Sequence, residues 1–346
     1  MKRVAAGGRD MTVIGLAVLG ITFTLFSGCA LFEDERTAKG RKLYNHYCSH
    51  CHGETGQQGE GFNWERMSDP RPKNLASNAE MSTFSDEEIF HTVYRDMKDT
   101  TDPKVIDDEN YFAVPTMPTF KYTLSEEEIW SIVGYVRTLH GMSLSYDLET
   151  RKKELEEVFQ VAQQEMETTK TAYETATEKV EAAQGAYEET LTDEQLETYE
   201  PKEVTIPEEE VFLTANEKYE TAKAAVDNFS KRPKKPQVSR PDLSIADEDR
   251  VAQAKLGKQL YNDKYGCQGC HSLNDEGGLV GPALDRAGFR LNPTWVYRWI
   301  LYPQAMKKHT RMPNLGISEQ DAKALTYYLA TLQAPKPEKP SSPSEK

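Results

Sequence analysis

The sequence predicts an all-α protein: two small helical domains joined by a long antiparallel helical hairpin. Three observations carry this expectation. A segment beginning at Gly40 returns at Gly257 with nearly the same residues. Each copy closes on an amphipathic helical pattern. Between the copies, apolar or small residues recur at alternating steps of four and three from Leu155 to Tyr187 and again from Phe212 to Phe229. The chain has 346 residues, 38 % of them hydrophobic, and a net charge of −14. That balance suits small cores with a well-solvated segment between them and argues against one large globule.

The repeat is explicit. Gly40-Arg41-Lys42-Leu43-Tyr44-Asn45 leads to Cys48-Ser49-His50-Cys51-His52. Gly257-Lys258-Gln259-Leu260-Tyr261-Asn262 leads to Cys267-Gln268-Gly269-Cys270-His271, with two extra residues before the cysteine pair. The closing helices are read over Leu124–Leu139 and Ile317–Leu332. Ser125 and Ser318 are their N-cap candidates, with Glu128 and Asp321 three residues on. The domains are therefore expected at residues 33–146 and 245–333.

Between them, at residues 147–232, the heptad seam runs through Leu155, Phe159, Ala162, Met166, Thr169, Tyr173, Ala176, Val180, Ala183 and Tyr187. It resumes at Phe212, Ala215, Tyr219, Ala222, Val226 and Phe229. Pro201 and Pro207 interrupt it, which folds the seam into a hairpin whose first arm is the longer, reaching ~60 Å at 1.5 Å per residue. Residues 233–244 read as a Pro/Lys-rich linker and residues 334–346 as a disordered tail.

The two C-x-x-C-H pentapeptides carry the chemistry. Two thiols two residues apart on one helical turn can add to both vinyl groups of a haem, and the next residue then lies under the iron. Cys48, Cys51, Cys267 and Cys270 are thus the expected attachment points of two covalently bound haem c groups, with His52 and His271 as proximal ligands. Zinc would need two further ligands per pair, and a redox disulfide would need a strand–helix context. Neither suits a duplicated helical pattern.

These surroundings resemble small class I c-type cytochromes over both terminal domains, just over half of the chain. The resemblance implies two class I cytochrome c domains. In each, the first helix crosses the last at a glycine and an aromatic: Gly40 with Tyr44 against Tyr135, and Gly257 with Tyr261 against Tyr327 or Tyr328. It implies that a proline carbonyl orients the histidine ring, Pro282 in the second domain and Pro72 as a looser candidate in the first. It also implies a methionine opposite each histidine, in a loop before the last helix. Met117-Pro118 and Met312-Pro313 stand there, so Met117 and Met312 are the expected sixth ligands. A neutral thioether favours reduced iron and raises the potential. His309 is an alternative to Met312, and Met67, Met81 and Met97 are weaker ones to Met117. His46, His50, His91 and His140 are read as surface or packing residues.

The fifth cysteine, Cys29, has a separate role. Lys2, Arg3 and Arg9 precede an uncharged run from Met11 to Phe32 that contains Phe26-Ser27-Gly28-Cys29. This resembles a bacterial lipoprotein signal, which implies cleavage before Cys29 and acylation of that residue as a lipid anchor. The alternative is an uncleaved membrane helix. Either reading places the rest of the chain on the extracytoplasmic side of a bacterial membrane.

Charge divides along the chain: −8 over residues 33–146, −13 over 147–250 and +4 over 251–332. Opposite fields steer different partners. Redox proteins are the expected partners, other cytochromes or a respiratory complex; nucleic acid is not. The expected function is electron transfer, with a dihaem peroxidase-like enzyme as the alternative. That enzyme requires close contact between the haems, and the helical insert of about a hundred residues argues against it, though helices can fold back.

Overall fold

The computed structural model describes residues 34–67, 71–95, 117–234 and 238–334. Cys29 with its apolar run, Met97 and the tail beyond Ala334 lie outside the described residues. In chain order the first domain comprises α1 (Glu35–Tyr47), α2 (Ser49–His52), a 3₁₀ turn (Trp64–Arg66), α3 (Asn78–Met81), α4 (Asp86–Tyr94) and α5 (Glu126–Leu139). The hairpin comprises α6 (Leu148–Glu188), the short α7 (Asp193–Leu196) and α8 (Pro207–Ser230). The second domain has α9 (Asp247–Gln259), α10 (Ala287–Arg290), α11 (Pro293–Leu301), α12 (Pro303–Met306) and α13 (Glu319–Thr331). Its two-residue strands β1 (Ser272–Leu273) and β2 (Glu276–Gly277) pair antiparallel, Ser272 opposite Gly277. Asn274 and Asp275 make the turn at positive φ, which these residues tolerate. Among the described residues that ribbon is the whole of the β-structure, so the fold is all-α as expected.

Each domain is built on one helix crossing. α1 crosses α5 where Gly40 lies on the Ser131 carbonyl, so closely that a Cβ would overlap the oxygen; α9 crosses α13 with Gly257 on the Ala324 carbonyl in the same way. Beside each glycine two tyrosine rings meet at a tilt: Tyr44 and Tyr135 at 5.2 Å, Tyr261 and Tyr328 at 5.5 Å. The structure thereby selects Tyr328 over Tyr327, whose hydroxyl instead donates to the Leu243 carbonyl. Ser125 and Ser318 cap α5 and α13 as anticipated, each accepting the backbone N–H three residues on. Ser125 and Glu128 complete a full capping box.

The two extra residues of the second copy have a local explanation. In the first domain the Cys48 N–H bonds the Tyr44 carbonyl, an ordinary α-helical step. In the second the chain widens into a π turn over Leu260–Lys264, closed by the Tyr265 N–H on the Leu260 carbonyl, and Gly266 follows at φ +57°. The insertion is absorbed before the cysteines, leaving the helix crossing unchanged.

The hairpin keeps its predicted seam. Tyr173 stacks on Phe212 at 5.7 Å and Phe159 on Tyr219 at 5.6 Å, while Ala162, Ala215 and Ala222 are buried and let the backbones approach. Lys218 bonds Glu165 across the seam at 2.8 Å. Pro207 does not interrupt the second arm; it starts it at the first turn, where its missing N–H has no partner to lose. The root of the hairpin is part of the first core: Leu148, Leu155 and Phe229 cluster with Ile129, Trp130 and Val133. Arg232 then makes a bidentate pair with Glu128 at 2.7 and 2.9 Å. The Tyr302 hydroxyl binds the linker carbonyls of Pro233 and Lys234.

The insert folds back, the arrangement that the sequence leaves open. The long insert does not hold the haem domains apart, because both arms leave and return on the first domain and the linker brings the second domain directly against it. The Asn314 N–H donates to Thr123 Oγ1 at 2.9 Å, and Gly316 lies against the Tyr122 ring. Asn63 of the first domain bonds the second domain at Gly269 and Leu279. Sequence periodicity reports the length of the arms but not where their ends are brought together.

The two haem-attachment sites

The first site is formed where α1 ends. Cys48 follows its last turn, and the His52 N–H bonds back to the Cys48 carbonyl at 3.0 Å, so the pentapeptide is one helical turn. That turn places Cys48, Cys51 and His52 on one side. The second site repeats it: the His271 N–H bonds the Cys267 carbonyl at 3.0 Å, although the cysteines here ride on a 3₁₀ turn. All four cysteines are half-buried, and none is paired with another in a disulfide. Burial pushes Cys48, Cys267 and Cys270 up to about 12 and raises Cys51 as well. Burial thus shelters the sulfur atoms and disfavours their charged form. Among the described residues no group of three or more His, Cys, Asp or Glu gathers to hold a metal alone.

Both proximal histidines are held neutral. Burial lowers His271, and lowers His52 to about 4. His271 Nδ1 lies 2.8 Å from the Pro282 carbonyl, as the sequence anticipated. A carbonyl only accepts, so Nδ1 carries the proton and Nε2 keeps its lone pair for a metal. Gly281 faces the same ring: a Cβ there would stand 2.6 Å from Nδ1 and 2.8 Å from Nε2. The first site differs. Lys73, and not Pro72, turns its carbonyl toward His52 and slightly opposes the lowering caused by burial. Among the described residues no hydrogen bond of normal geometry closes at His52 Nδ1, which is buried.

The two methionines are differently placed. Met117 is half-buried and packs against the first core. Met312 is half-buried, and Trp299 donates its Nε1–H to Met312 Sδ at 3.0 Å. Gln304 bonds the Met312 carbonyl at 2.8 Å and fixes the loop. His309, the alternative ligand, is exposed. Met67 and Met81 are buried, and Met81 belongs to the first core. His91 is exposed, as read. His140 is buried, with Nδ1 on the Leu75 carbonyl at 3.0 Å and Nε2 facing Arg137.

Sequence reasoning missed three residues here. Trp299 gave no signal because its partner sulfur is thirteen positions away. Gly281 gives no sign in the sequence of its contact to the His271 ring. Asn63, fully buried, lies in a polar loop and meets its partners more than 200 positions later.

Two duplicated helix crossings, each delivering a C-x-x-C-H turn whose histidine is neutral and whose thiols are sheltered, define a dihaem c-type cytochrome with one covalent haem c per domain. The comparisons agree: residues 35–136 match the family described as cytochrome C oxidase, cbb3-type, subunit III, and residues 254–333 match the family described as cytochrome c. No curated protein and no solved structure matches the chain at a significant level.

Proposed function

We propose that this chain carries single electrons between protein partners on the extracytoplasmic side of a bacterial membrane, as the cytochrome c subunit of a respiratory complex or as a free-standing anchored carrier. The observation that carries the reading is the match of the first domain to a family described as an oxidase subunit. The long acidic hairpin adds a surface suited to docking within a complex. No described helix is long and apolar enough to cross a membrane. The anchor in this reading is the N-terminal segment, through acylated Cys29 or the uncharged run from Met11 to Phe32 retained whole, on the strength of its sequence pattern.

Cys48 and Cys51 hold one haem and Cys267 and Cys270 the other. His52 and His271 would ligate the two irons, with Met117 and Met312 as their second protein ligands. Bound there, the haem iron supplies a one-electron couple. The chain's own residues keep the histidines neutral, orient the His271 ring and shelter the sulfur atoms. The acidic first domain and the basic second domain face partners of opposite charge.

Co-purification from native membranes tests the reading. A respiratory complex retained through detergent extraction supports the subunit; recovery of the chain alone with both haems reducible supports the carrier. A dihaem peroxidase-like enzyme gains from the contact between the domains, which removes the objection raised by the insert. It requires one iron with an open position. Rapid binding of cyanide by one haem would favour it, and slow binding at both would exclude it.

A further inference from the structure

The two haem-attachment turns meet, and one side chain joins them. Asn63 is completely buried between the domains. Its backbone N–H bonds the His50 carbonyl, inside the first pentapeptide, at 3.0 Å. Its Nδ2 stands 3.7 Å from Cys51 Sγ and donates to the Gly269 carbonyl, inside the second pentapeptide, at 2.8 Å. Its Oδ1 accepts the Leu279 N–H at 2.8 Å. A single amide therefore touches the attachment sulfur of one site and the backbone next to the attachment cysteine of the other.

The contact is not isolated. Arg66 donates to the Asp275 carbonyl on one flank of Asn63. On another part of the seam Thr123 accepts from the Asn314 N–H, and Gly316, at φ +66°, leaves room for the Tyr122 ring. Within each domain a glycine also lies on the pentapeptide backbone: Gly61 on the Cys51 and His50 carbonyls of the first, and Gly278 on the Gly269 carbonyl of the second.

We infer that Asn63 locks the two haem-attachment turns into one unit, so that an electron received by one domain passes to the other within the same chain before it leaves. The inference rests on the electron-transfer reading and adds the internal step. The step is an exchange of one electron: the donating domain is oxidised by one and the accepting domain reduced by one. No bond forms or breaks and no proton moves. External one-electron redox proteins supply and remove the electron. Fixing the two attachment turns against each other holds the internal step at one separation, within one molecule and independent of concentration. Asn63 is a positioning residue in this scheme, because it acts through the placement of the two turns.

The experiment uses the full holo-chain and the variants Asn63→Leu and Asn63→Asp. Leu has no polar atom to offer the seam. Asp keeps the acceptor for Leu279 and loses the donor to Gly269. A flash-generated flavin semiquinone reduces the protein, and redistribution between the two haems is followed by absorbance. The wild type is expected to show a first-order phase whose rate does not change with protein concentration. That phase should slow at least tenfold in Asn63→Leu and less in Asn63→Asp, while haem mass and Soret spectra stay as in the wild type; the two potentials are titrated in each variant so that a change of driving force is told apart from a change of placement. A wild-type redistribution that scales with protein concentration would overturn the inference, as would an unslowed phase in both variants. If Asn63→Leu fails to assemble, Asn63→Asp carries the comparison, with hydrogen exchange at the Leu279 amide reporting whether the seam has opened. Failure of the electron-transfer reading itself would look different: the wild-type haems would not be reduced by the semiquinone at all.

Discussion

Gly257 and Ala324 touch backbone to backbone where the first and last helices of the second domain cross, with no room for a methyl group between them. Gly40 and Ser131 repeat the contact in the first domain. Gly257→Ala and Gly40→Ala should each force their helices apart and destabilise one domain by about 3 kcal/mol, the upper end of ordinary overpacking. Thermal unfolding followed at the Soret band should show a lowered transition in each. An unchanged melting temperature would mean that the crossing is looser than described.

Gly281 supports the ring of His271 directly. Gly281→Ala should push the imidazole off the Pro282 carbonyl and shift the potential of the second haem, leaving the first unchanged. A redox titration that resolves the two haems checks this, and an equal shift at both would contradict it.

The axial assignments separate by spectroscopy. Met117→Leu and Met312→Leu should each abolish the sulfur-to-iron absorption of one site and lower its potential. Trp299→Phe should keep the absorption of the second site while changing its potential, since only the indole donor to the sulfur is lost. Cys48→Ala and Cys267→Ala should lower covalent haem per chain, read by mass spectrometry.

Asp86 and Arg137 form a buried pair at 2.6 Å that ties α4 to α5, and Arg137 also donates to the Met81 and Phe84 carbonyls. Burial pushes the Asp86 carboxyl up, but hydrogen bonds from Ser145 and Arg137 outweigh it and hold it below the usual carboxylate range. A depressed folded-state value stabilises the fold above the unfolded value, ~3.9, and that stability is lost as pH falls through the folded value. Asp86→Asn should therefore cost about 3–5 kcal/mol at neutral pH, by leaving a buried guanidinium without its counter-ion. The gap from wild type should narrow below about pH 4. A gap that widens with acid in denaturant titrations would show that the pair is not ionised.

The haem attachments were legible in the sequence because thioether chemistry demands fixed residues at fixed short spacing, and two copies of such a motif can be recognised without any fold. The helix crossings were legible for a related reason: Gly40 and Gly257 keep the same offset from their tyrosines, and the capping serines sit at local positions. The seam of the hairpin followed from period alone. The orienting carbonyl of the first site was not legible, since Lys73 and Pro72 are neighbours and only the path of the loop decides which one faces His52.

What the sequence by itself determined is therefore the local chemistry: which residues bind, which helices form and where they begin. Only the tertiary structure decided that the second domain returns past a 41-residue helix to rest on the first, and that Asn63 joins the two sites. Short-range pattern encodes backbone period and motif spacing. A contact across 206 positions is made by the packing of whole surfaces, and an isolated asparagine in a polar loop carries no mark of the partner it will meet.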